Sequence, residues 1–148
     1  MKRDNFDVRP VLIIGPAVLD SDNTPAAIEV GDAGTNEINI SVGVGGITFT
    51  SSNKIEFIVT HGDTADGDFT AVESHDVILG ENADASVGTG GIVKSFTAAH
   101  SAPSLTRVSY IGNKRYIKVL AKFSGTHGTG TPIAVTVVKS RLALAGKS

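Results

Sequence analysis

Residues 114–139 read KRYIKVLAKFSGTHGTGTPIAVTVVK, and the fold is decided in this stretch. Ile117, Val119, Ala121 and Phe123 alternate with Tyr116, Lys118, Leu120 and Lys122. The first parity is apolar throughout, and the second carries two lysines that belong in water. Period-two alternation of this kind marks a half-buried strand. Residues 124–131, SGTHGTGT, are turn formers and end the run. Ile133 to Val138 is rich in β-branched residues, which suit a pleated surface. Together they predict a long β-hairpin with the remaining strands packed around it.

Working outward, the same pattern recurs. In Asn36–Val42, Ile38, Ile40 and Val42 share a face; in Lys54–Thr60, Ile55, Phe57 and Val59 do. Leu105, Arg107, Ser109 and Ile111 alternate against Thr106, Val108 and Tyr110. Shorter β-prone pieces lie at Val11–Ile14, read as an edge strand or a segment docked on a neighbour, and at Ala26–Val30, Ile47–Thr50, Asp76–Leu79 and Ile92–Phe96. Asp66-Gly67 is a strong turn signal, and Glu81–Gly91 reads as a mobile loop. About eight strands at this spacing predict an all-β, single-domain β-sandwich, jelly-roll-like rather than immunoglobulin-like. The polar, mixed-charge start predicts an extended N-terminal arm over residues 1–25, with the sandwich over 26–148.

Composition narrows the functional classes. Of 148 residues 17 are glycine and none is cysteine or tryptophan, so the core rests on aliphatic side chains and no thiolate site can form. A formal charge of −2 does not fit wrapping of nucleic acid. No run reaches the roughly 18 apolar residues of a membrane helix. The start mixes Asp4 and Asp7 into its basic residues, and Gly15-Pro16 interrupts its apolar run, unlike a signal peptide.

No chemical motif stands out. His61, His75, His100 and His127 lie in or beside turns without metal-ligand spacing and read as surface imidazoles. Asp63, Asp66 and Asp68 lack the rest of a calcium loop. The glycines of 43–46 and 88–91 lack the ending of a phosphate loop. There is no GxSxG. The chain is therefore read as a non-enzyme with no metal and no cofactor. Lys114, Arg115, Lys118 and Lys122 form a local basic run. It reads either as edge protection or as a positive stripe for an acidic protein surface.

Two segments, IEFIVTHGDTADGDFTAV and VSYIGNKRYIKVLAKFSGTHGTGTPIAVTVVKS, resemble small structural proteins encoded by tailed bacteriophages and prophages. The resemblance spans roughly residues 54–140, and its most specific pieces are YIGNKRYI and SGTHGTGTPIA. It implies a capsid decoration or cement protein, or another head-region protein, made in the host cytoplasm and placed on the capsid exterior of the virion. It carries no active site. The implied partners are the major capsid protein and the chain itself, as a dimer or trimer, with no nucleic acid and no membrane. The contact residues expected are Phe6, Val8, Arg9, Val11 and Leu12 in the arm, with Lys118 and Lys122. Alternatives are a tail or head–tail structural protein, or a carbohydrate-binding adhesion module of a tail fibre. The last sits poorly with two tyrosines and no tryptophan.

Overall fold

The computed structural model describes residues 8–31, 37–49, 52–84, 87 and 90–140. Among these residues ten strands follow one another: β1 Val8–Leu19, β2 Ile28–Glu29, β3 Glu37–Val44, β4 Lys54–Gly62, β5 Thr70–Ala71, β6 Val77–Leu79, β7 Ile92–Phe96, β8 Ser104–Tyr110, β9 Tyr116–Ser124 and β10 Thr131–Ser140. All pairings are antiparallel. The first sheet has the order β1-β10-β3-β8-β6. The second runs β2-β9-β4, with β5 and β7 both pairing to β4.

Set aside the short β5 and β6, and eight strands remain. They lie as first-eighth-third-sixth in one sheet and second-seventh-fourth-fifth in the other. Successive strands thus alternate between sheets in the first half of the chain, and the second half retraces that path beside it. This is the strand order of a jelly roll, and the expected β-sandwich is present.

The parities read from the sequence face inward as expected. Ile40, Val42, Ile55, Phe57, Val59, Ile117, Val119, Ala121, Val135 and Val137 are all fully buried. Phe57 meets Phe96 edge-to-face at 6.2 Å, a large contact in a core otherwise nearly all aliphatic.

Three expectations are corrected. The hairpin of 114–139 does not exist: β9 pairs with β4 and β2, β10 with β3 and β1, in opposite sheets. The loop between them crosses the sandwich. Asn53 holds that crossing: its side chain donates to Thr126 O at 2.5 Å and accepts from Thr126 N at 3.2 Å. Second, of the two readings of Val11–Ile14 the edge strand is the one present, and it runs longer than expected, through the stretch assigned to the arm. Val8 to Leu19 pairs with Ser140 to Thr131, broken by bulges near Ile13 and Gly15-Pro16. Third, the described part of the 81–91 loop is tied down. Asp84 accepts from Lys94 Nζ at 3.2 Å and Ser95 N at 2.7 Å, and Val87 is buried.

Candidate functional site

The expected contact residues fall on two separate surfaces. Val8, Arg9, Val11 and Leu12 lie on β1, at the edge of the first sheet. Val8 is 49% exposed and Leu12 57%, whereas Val11 is half-buried. Phe6 lies outside the described residues. Lys118 and Lys122 lie on the outer face of the second sheet, on β9. The fold does not bring the two groups together.

Lys118 and Lys122 project from the sheet face on a stretch of β9 that β4 pairs along one side and that β2, reaching only Tyr116 and Ile117, leaves as an edge on the other. Two side chains bond that edge. Asn23 donates to Val119 O at 3.2 Å and accepts from Ala121 N at 2.7 Å, while Asp22 accepts from Phe123 N at 2.6 Å. Two side chains thereby stand in for the strand that β2 is too short to supply.

The basic run is largely engaged. Lys114 pairs with Asp63 at 2.7 Å and Arg115 with Glu29. Lys118 Nζ sits 4.0 Å from the centre of the Phe69 ring, a cation–π contact that seats the 63–69 loop on the sheet. Lys122 is exposed and makes no ion pair or ring contact among the described residues; its cross-strand neighbour Glu56 bonds Lys54 at 3.0 Å.

The histidines depart from expectation. His75 is exposed, but His61 and His127 are buried. His127 lies edge-on between Phe49 and Phe123 at 5.2 and 4.9 Å, with Nε2 2.9 Å from Ser124 O. It is a packing residue of the β9–β10 crossing. His61, at the end of β4, reaches across to the other sheet: its Nδ1 lies 2.9 Å from the Tyr110 hydroxyl. Its Nε2 faces Asp76 Oδ2 at 3.8 Å. Asp76 Oδ2 accepts from Glu73 N at 2.9 Å, and Lys114 N donates to the Tyr110 oxygen at 3.1 Å. Burial pushes the Tyr110 phenol above its usual range; Asp76 and Asp63 push the same way, and the Lys114 amide opposes them. The phenol is thus held neutral, as a hydrogen-bonding bridge between sheets.

Sequence reading missed this network because His61, Asp76 and Tyr110 come from separate segments, and only the sandwich's closure joins them. Among the described residues no three His, Asp or Glu side chains converge on a metal-sized site. Asp63, Asp66 and Asp68 are exposed in the loop after β4.

One surface feature also escaped the sequence reading. Among the described residues, the seven large apolar side chains that stay exposed all belong to the first sheet or its margin: Val8, Leu12, Val18, Ile78, Leu79, Leu105 and Ile111. A groove of about 680 Å³ opens there, between Val18 and Leu105, over Gly43 and Ala134. Compared with protein-family models, curated proteins and solved structures, the chain matches none of them.

Proposed function

We propose that this protein is a structural component of a tailed-bacteriophage virion that binds the outside of the capsid and stabilises the shell. The observation that carries this reading is where the polar groups go. The buried Asn53, His61 and Tyr110 side chains tie sheet to sheet and loop to strand. What is left uncommitted is surface: Lys122 on one sheet, and Val8 and Leu12 at the edge of the other. Such a molecule is equipped to adhere. The resemblance of residues 54–140 to phage head-region proteins supports the shell as the surface adhered to.

In this reading the major capsid protein meets the N-terminal residues, with Phe6, Val8, Arg9, Val11 and Leu12, and an acidic patch meets Lys118 and Lys122. Each contact can be weak, because many symmetric copies bind one lattice. The test is addition of purified protein to shells stripped of it, read by occupancy in particle images. Wild type saturates its sites. Deletion of residues 1–10 abolishes binding, and Lys122→Glu weakens it most at low salt, where charge contacts are least screened. Full occupancy by the deletion variant would remove the N-terminal contact from the proposal, and density in the tail would move the protein there.

A further inference from the structure

Gly43 sits in the middle of β3, paired without a bulge to Ala134 on one side and Leu105 on the other. A glycine inside a strand weakens it, and elsewhere marks a bend or a close approach by another chain. Neither side of its own molecule calls for it here. A Cβ added at Gly43 would meet only Ala134 O at 3.6 Å, an ordinary contact. Its φ is not in the left-handed region. The fold itself thus leaves room for a side chain at Gly43, and the space above the sheet there is open.

The surroundings share that character. Three rows cross this outer face: Ala134–Gly43–Leu105, Leu12–Thr136–Ser41–Arg107, and Pro10–Val138–Asn39–Ser109–Ile78. Arg107 is the one charged side chain among the described residues of these rows. The opposite sheet presents Lys54, Glu56, Lys118 and Lys122 on its outer face. On the first sheet, raised apolar side chains, Leu105 and Val18, stand beside a floor without them, Gly43 and Ala134.

We propose that this face binds a second copy of the chain across a two-fold axis, each Leu105 seated over the partner copy's Gly43 and Ala134. A two-fold interface needs knob and hole on one patch, and both are here. The face carries few charges, Arg107 in the middle row and Glu37 in the row of Val8 and Ser140, so little like charge is brought together when it meets itself. Four strands at about 4.8 Å spacing and seven or so residues at about 3.3 Å cover roughly 20 by 25 Å. Two copies then bury about 1,000 Å², the threshold for a specific interface, before Val8 and Ile111 at the margins are counted. Packing this way leaves both lysine-bearing sheets uncovered; it takes Leu12, and Val8 at the margin, into the pair, so in a dimer the proposed capsid contact falls to the remaining N-terminal residues and the lysines. The pairing does not depend on what the protein binds, so the pure protein tests it.

Sedimentation across a dilution series is expected to show a monomer–dimer equilibrium. Gly43→Val should raise the dissociation constant at least about tenfold while leaving the unfolding midpoint unchanged or higher. Leu105→Arg, at an exposed position, should do the same without touching the core. Lys122→Glu, on the other sheet, should leave the equilibrium as it was. A wild-type monomer at every concentration would overturn the proposal, as would dimers unaffected by both Gly43→Val and Leu105→Arg.

Discussion

At the scale of single residues, the crossing between the sheets depends on two neighbours. Gly125 has φ +89°, and a Cβ there would collide with the Asn53 side-chain oxygen. Gly125→Ala is therefore strained in backbone and in packing, and should destabilise the fold by about 1–3 kcal/mol. Asn53→Ala removes both bonds to Thr126 and should cost a similar ~1–3 kcal/mol. The two act on one clamp, so the double variant should fall short of the sum; denaturant unfolding of all three checks this. Tyr110 gives a pH signature. The unfolded phenol ionises near pH 10, while the buried one holds its proton to higher pH. Its contribution is thus fully present below about pH 10 and lost as pH rises through the folded value. Tyr110→Phe should be less stable at neutral pH, having lost its bonds to His61 and Lys114, yet fall less steeply in alkali than wild type. Equilibrium unfolding at a series of pH values measures both. Of these residues the sequence displayed Tyr110 as a strand position and Gly125 as one glycine among several in a turn, and the partners of neither.

At the scale of elements, alternation named the strands but not their partners. Tyr116–Ser124 and Thr131–Ser140 look like a hairpin because a turn-rich loop of six residues joins them. Such a loop can instead step between packed sheets, about 10 Å apart. What decides is the rest of each ladder: β10 is bound on both sides within its own sheet, by β1 and β3. The edge of β9 shows a second device invisible to periodicity, the side chains of Asp22 and Asn23 standing where a strand would. Asn23→Ala should free the Ala121 amide and Asp22→Ala the Phe123 amide. Native-state hydrogen exchange should then accelerate at the corresponding amide in each variant while the β4–β9 ladder stays protected.

At the scale of the whole molecule, most strands find partners far along the chain: β1 with β10, β2 with β9, β3 with β8 and β10. The cost of closing such long loops precedes the reward, which places folding in the slow, millisecond-to-second regime of non-local β proteins. Stopped-flow refolding measures it, and a microsecond phase completing the fold would contradict this topology. The same topology divides the surface, with Lys54, Glu56, Lys118 and Lys122 on one sheet's outer face and Arg107 the one charge among the described residues of the three rows on the other's. The candidate site was only partly legible for that reason. Lys118 and Lys122 could be assigned to a solvent face from parity alone, but the rows through Gly43, Ser41 and Asn39 exist only once four strands lie side by side.

The sequence by itself determined that this chain is β throughout, which parity of each long strand is buried, and that an aliphatic core must hold two layers together. Those properties are local, since side chains alternate with a period of two whatever the strand lies beside. Tertiary structure alone decided that the closing strands part to opposite sheets, that the first strand pairs with the last, and that His61, Asp76 and Tyr110 meet. Each of these is a contact between distant segments, and its position comes from the closure of the sandwich.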